Sequence, residues 1–153
     1  MTISSGCLTC GNNARLSSLS PRELIAADQY WRAAHAFGTG LPGWLVLVPL
    51  RHVTTIAELT DAEAAVLGQW QVRLSRALHA VTGCTKTYVA QFAEAEGFAH
   101  VHFHIIARMN DLADERRGPK VFTMLGQPED RDLSTAQRDE IAIEIQQYLQ
   151  SPK

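Results

Sequence analysis

His100-Val101-His102-Phe103-His104-Ile105-Ile106 sets three histidines at every second residue, with large apolar residues between them. Strict alternation is the period of a β-strand, so the imidazoles leave one face while Val101, Phe103 and Ile105 enter the core on the other. Half of the chain's six histidines fall in this stretch. One reading is a half-buried strand whose polar face happens to carry histidine, but crowding imidazoles costs free energy unless each finds a partner. A second reading puts all three on one metal. Same-face strand neighbours lie roughly 6.6 Å apart, which separates His100 from His104 by about 13 Å. Zinc needs each nitrogen within about 2.1 Å, so one or two of the three could share an ion, and a regular strand could hardly supply all three. The third reading is a row of donors, acceptors and a nucleophile suited to handling a phosphate.

The rest of the chain sets the surroundings of that strand. Its 153 residues, 46% of them hydrophobic, suffice for one core, so residues 1–153 read as a single domain. A formal net charge of -2 gives no electrostatic reason to seek nucleic acid or an anionic membrane. The sequence has no apolar run of membrane-spanning length. Met1 to Cys10 has neither a basic start nor an apolar signal core, and a cytoplasmic location is the expectation.

Three cysteines are too few for a disulfide framework. Cys7-Leu8-Thr9-Cys10-Gly11 is a CxxC followed by glycine, read as a tight turn that aims two sulfurs at one point. A thioredoxin-like redox pair needs the motif at a helix start after a strand, and no strand precedes it here. Half of a zinc site is the better reading, with the remaining ligands drawn from elsewhere. Cys84, behind the helix-stopping Gly83, reads as an isolated thiol with no assigned role.

Ser17 to Pro21 is polar and turn-rich, a surface connection. Tyr30 to Phe37 reads as a strand, broken by the glycines and proline of Gly38 to Gly43. Trp44-Leu45-Val46-Leu47-Val48 is a continuous apolar run of strand length, ended by Pro49, with Arg51 and His52 just behind it. Thr60-Asp61-Ala62-Glu63 has the capping-box pattern and opens a long helix. Its core stripe is Val66, Trp70, Leu74, Ala77, Leu78 and Val81, and Gly83 stops it. Thr87 to Phe92 is the next strand, joined through Ala93-Glu94-Ala95-Glu96-Gly97 to the histidine strand as an antiparallel hairpin. Asn110 to Lys120 is charged and aperiodic: a solvated loop, or a segment that folds over the site or meets a second subunit. Ser134-Thr135-Ala136-Gln137 opens a C-terminal helix with an apolar stripe of Ile141, Ile145, Tyr148 and Leu149. The element order predicts an α+β fold with an antiparallel sheet, a long helix after the second strand and a C-terminal helix.

Alternate histidines on an apolar strand, preceded by an apolar strand ending in Pro-x-x-His, resemble the histidine-triad (HIT) family of nucleotide hydrolases and transferases. The resemblance covers Pro49 to His52, the hairpin from Thr87 onward and His100 to Arg108. With the CxxC it spans roughly residues 7–108, leaving the loop and helix of 109–153 without a strong motif.

The resemblance implies a HIT-like α+β fold, usually homodimeric, acting on a nucleoside phosphoester or phosphoramidate through a covalent nucleotidyl-histidine. It makes His102 the nucleophile and has His104 help to hold the phosphate and assist the leaving group, with Gln91 at the substrate beside it. A neutral imidazole is a good nucleophile near neutral pH, and a protonated His104 would serve as acid. In zinc-bearing relatives the metal is held by positions that correspond to Cys7, Cys10, His52 and His100. Four such ligands close a tetrahedron and make the zinc structural. The sequence departs from the family's pattern before the triad, where Gln91 and Glu94 to Gly97 replace the usual phosphate loop. It departs again in Ala36 to Pro42, which lacks the acidic residue that often holds ribose, and at Trp44, where a histidine is common. The expected function is therefore a zinc-stabilised hydrolase or transferase of the histidine-triad type. Its rivals are a nucleotide-binding or interaction protein with little catalysis and a redox protein acting through Cys7 and Cys10.

Overall fold

The computed structural model describes residues 6–152, so Met1 to Ser5, part of the stretch read for a signal, lie outside the described residues. Five strands form one antiparallel sheet in the order β1-β2-β3-β5-β4. They are β1 (Ala26–Ala27), β2 (Trp31–His35), β3 (Trp44–Pro49), β4 (Lys86–Gln91) and β5 (Phe103–Arg108). The helices are α1 (Leu8–Asn13), α2 (Asp61–Thr82) and α3 (Thr135–Gln150). The α+β expectation holds, with one addition. A two-residue strand precedes the first expected one, so the long helix follows the third strand. Ala26-Ala27 carries no alternation that a sequence could show, and it exists only by pairing with Arg32 and Ala33.

Period-two alternation gives the sheet two different faces. On one, Trp31, Ala33, Leu45, Leu47, Phe103 and Ile105 pack against Trp70, Leu74, Ala77 and Leu78 of α2 and Ala142 and Ile145 of α3. Helix α2 has both halves of its capping box. The Thr60 hydroxyl accepts from the Glu63 N–H (3.1 Å) and the Glu63 carboxylate accepts from the Thr60 N–H (2.8 Å). Gly83 stops the helix in the left-handed region at φ 70°. Glu63 also pairs with Arg51 at 2.8 Å, fastening the start of α2 to the chain leaving β3. Ser134 and Gln137 cap α3 in the same way.

The other face carries Arg32, Ala34, Val46, Val48 and the histidines, and a cavity opens over it. Gly43, at the return into β3, sits at φ 81° so close to β5 and α2 that a Cβ would meet Ala107 Cβ at 3.0 Å and Leu78 Cδ2 at 3.1 Å. That bend sets where Trp44 begins.

Asn110 to Lys120 is largely exposed and includes the short turn Asp114–Arg116. The 3₁₀ segment Gly118–Met124 that overlaps its end is not a solvated loop. Val121 is buried and Phe122 packs edge-on against Trp44 (centroids 5.4 Å), Phe92 (5.1 Å) and His104 (4.9 Å). The apolar pair lies just past the charged run that drew attention in the sequence. Among the described residues no helix is long and apolar enough to cross a membrane.

Candidate active site and metal centre

The histidine stretch is only partly β-strand: regular pairing begins at Phe103, and His100 to His102 form an extended approach to it. There the Val101 N–H donates to the Val53 carbonyl at 2.8 Å, which holds the Pro-x-x-His segment alongside and brings His52 beside His100. The cysteines arrive on α1, whose N-cap is Cys7. The CxxC therefore opens a helix instead of the tight turn expected, because the Cys7 sulfur caps by accepting the Cys10 N–H at 3.4 Å. Buried Asn13 fastens this helix in place, donating to the carbonyls of Pro49 and Leu50 (3.2 Å each) and accepting from Arg32 Nε (2.8 Å).

Cys7, Cys10, His52 and His100 present four ligand atoms that all lie within 4.8 Å of one another. Cys10 Sγ is 3.2 Å from His52 Nδ1 and 3.6 Å from His100 Nδ1, Cys7 Sγ is 3.6 Å from His100 Nδ1, and the two Nδ1 atoms are 3.2 Å apart. A tetrahedron with zinc bonds of about 2.0 to 2.3 Å has edges of about 3.3 to 3.8 Å, close to these four separations, so the donor set suits the ion. The chemistry agrees. His100 donates Nε2–H to the Pro49 carbonyl (2.9 Å), so its Nδ1 carries the lone pair and faces the sulfurs. Burial is the main cause that pushes His100 down to about 4, which keeps that lone pair available. All four expected metal ligands are thus brought together as a closed Cys2His2 set.

His102 and His104 do not join this cluster. They line the cavity, of about 430 Å³, with ring centroids 4.8 Å apart. His102 Nδ1 lies 2.8 Å from the carbonyl of His100, which can only accept, so Nδ1 carries the proton and Nε2 the lone pair. His104 is reversed. The indole N–H of Trp44 can only donate, and it reaches His104 Nδ1 at 3.0 Å, so the His104 proton is on Nε2. Burial, with the His102 charge as a lesser cause, pushes His104 down to about 3. Both features favour a neutral His104 over the protonated acid that the sequence suggests.

Gln91 ends β4 opposite Phe103, half-buried, and the cavity lining does not include it. Glu94 and Glu96 point their charge to solvent, and Ala95 and Phe98 of that loop line the cavity instead. No acid stands in Ala36 to Pro42, but one lines the cavity from elsewhere: Glu23, in the turn Pro21–Glu23, accepts from Asn12 Nδ2 at 3.3 Å and lies 3.9 Å from buried Arg32. No pattern in the sequence marks this group, which depends on a turn meeting β2. His35 likewise carries no sequence signal. Its Nδ1–H donates to the Ala36 carbonyl (2.7 Å) and its Nε2 accepts the Gly43 N–H (3.1 Å), so it braces the β2–β3 return.

The arrangement as a whole has counterparts among solved structures. A Hit-like protein from Bartonella henselae superposes with a TM-score of 0.70 at 19% identity, covering 96% of this chain and 99% of that one. This is the histidine-triad fold. The histidine triad protein of Bradyrhizobium japonicum matches with a TM-score of 0.68 at 24% identity over 89% of this chain and 95% of its own. A zinc-bound histidine triad family protein from Mycobacterium smegmatis matches at 0.65 and 17% over 94% and 92%. No family model matches the sequence, and no curated protein matches it significantly. Identities this low carry the histidine-triad fold and leave activity to the residues themselves.

Proposed function

We propose that the chain is a nucleotidyl hydrolase or transferase that attacks the α-phosphate of a nucleoside phosphoester or phosphoramidate through His102. One observation carries the reading: the Nδ1–H of His102 is held by the His100 carbonyl, which leaves Nε2 as a lone-pair nitrogen on a cavity-lining side chain. Its lone pair forms the N–P bond, the bond from phosphorus to the leaving group breaks, and water or another acceptor then displaces His102 from the nucleotide. His104 contributes its Nε2–H as a hydrogen bond to the phosphoryl group. The largely apolar cavity, with Phe37 and Phe98 tilted together at 6.2 Å, suits a nucleobase.

Cys7, Cys10, His52 and His100 would hold a structural zinc, which supplies no chemistry to the reaction and clamps the nucleophile's segment to α1 and the end of β3. A homodimer in which a second copy extends the sheet fits β4, an edge strand with half-exposed Val89. Light scattering tests it.

The test of function is intact-mass spectrometry after brief incubation with a panel of nucleoside phosphoramidates and dinucleoside polyphosphates, quenched without acid. A mass increase of one nucleotide that is lost in His102→Ala supports the reading. Neither adduct nor product across the panel moves the weight to a nucleotide-binding protein, which the departures at Ala36 and Glu94 to Gly97 would suit.

A further inference from the structure

We propose that the indole of Trp44 locks His104 as a neutral Nε2–H donor, so that the site favours leaving groups that depart as anions, such as phosphate or a nucleotide, over amines. The inference rests on the hydrolase reading above and narrows its substrate class to phosphoanhydrides and similarly acidic leaving groups. Trp44 is a positioning residue here, acting through His104.

The two side chains are enclosed together. Trp44 is fully buried and His104 is 4% exposed, and their rings meet edge to face at 84° with centroids 5.8 Å apart. Phe122 closes on His104 from the 3₁₀ segment, while Val46 and Ala90 flank it across the sheet. None of these neighbours titrates, and the titratable ring beside His104 is that of His102 on its own segment, 4.8 Å away between centroids. To become an imidazolium, His104 must place a proton on Nδ1, where it would face the indole N–H. Two buried donors would then oppose each other with no acceptor. Burial alone already disfavours the cation.

The consequence falls on the leaving group. With a phosphoanhydride, His102 Nε2 forms the N–P bond, the bridging P–O bond breaks, and its electron pair leaves on an oxygen that is stable as an anion. A hydrogen bond from His104 Nε2–H suffices. Water then adds to phosphorus as the N–P bond breaks, the electron pair returns to His102 Nε2, and the water's proton passes to solvent. With a phosphoramidate, the nitrogen that departs must acquire a proton. A neutral imidazole could supply it only by becoming an imidazolate, and the Trp44 indole N–H is too weak an acid to replenish it through Nδ1.

Two measurements on the intact zinc-loaded protein test this. Long-range ¹H–¹⁵N spectra of the histidine rings should show His104 with a proton on Nε2 alone throughout the neutral range, and Trp44→Phe should restore exchange between tautomers. In parallel, kcat/KM is compared for anhydrides and amidates of the same nucleoside. General acids typically contribute 10²–10⁴-fold, so the wild type should favour anhydrides by about 100-fold or more. Trp44→His, which can relay a proton to Nδ1, should narrow that ratio by about tenfold or more. Amidates turned over as fast as anhydrides by the wild type, or a doubly protonated His104 at neutral pH, would overturn the proposal while the hydrolase reading stands. No turnover with either class removes the hydrolase reading and the leaving-group preference with it, and the spectra still decide the Trp44–His104 bond by itself.

Discussion

His100 turns one ring nitrogen to the carbonyl of Pro49, 2.9 Å away, and the other to the sulfurs of Cys7 and Cys10, each 3.6 Å away. The end of β3 thus orients a ligand that lies 51 residues further along the chain. Metal analysis of purified protein should give about one zinc per chain, and chelation should lower the melting temperature sharply, because binding energy at such a site is folding energy. A metal-free protein with unchanged melting would remove the zinc.

Removal of the His102 imidazole takes away the proposed nucleophile and little else, since the side chain is half-buried in the cavity wall. His102→Ala should abolish turnover and the covalent adduct with an unchanged circular dichroism spectrum. His104→Ala removes a hydrogen-bond donor, at a cost of about 10²–10³ in kcat. Steady-state kinetics on both variants checks the order of the two effects, and full activity in His102→Ala would end its assignment.

Acid should weaken the fold through two buried neutral histidines. Burial is the main cause that pushes His35 down to about 4, and likewise His104 to about 3. An unfolded histidine titrates at about 6.5, so between these values the unfolded chain binds the protons and the folded chain refuses them. Stability is therefore full above about pH 6.5 and falls as the pH drops towards the folded values, by on the order of 2 kcal/mol for each histidine at about pH 5. Urea unfolding at saturating zinc should show this slope, and His35→Gln should flatten it. An unchanged slope in that variant would exclude His35 as a contributor.

Gly43→Ala asks an L-residue to adopt φ 81° and to push a methyl into Ala107, Leu78 and Thr82, each within 3.2 Å. Strain and overpacking together should cost about 2 to 4 kcal/mol. Because the next residue is Trp44, the indole should shift as well, which near-ultraviolet circular dichroism would register.

The parts of this molecule that the sequence declares are those written in periodicity and caps. Thr60 with Glu63, the Trp70-Leu74-Leu78 stripe and Gly83 define α2 by themselves, and the apolar run Trp44 to Val48, stopped by Pro49, reads as an inner strand. The four metal ligands were legible through their resemblance to known motifs, and their convergence needed the fold. Three features stayed hidden because they are contacts between distant segments. The Trp44–His104 bond joins residues 60 apart, Glu23 reaches the cavity from a turn, and Phe122 follows a charged run that masks its role. The boundary of β5 was also invisible, since the alternation continues unbroken through His100 to His102 although the ladder begins only at Phe103.

The three histidines of one short segment are held by unlike means. His100 and His102 take their orientation from main-chain carbonyls, those of Pro49 and His100, which no single side-chain exchange can delete. His104 takes its orientation from a side chain, Trp44. The zinc-site histidine and the proposed nucleophile are thereby sheltered from point mutation, and the third histidine is the one whose behaviour a lineage can retune by a single codon change, at a position outside the triad itself.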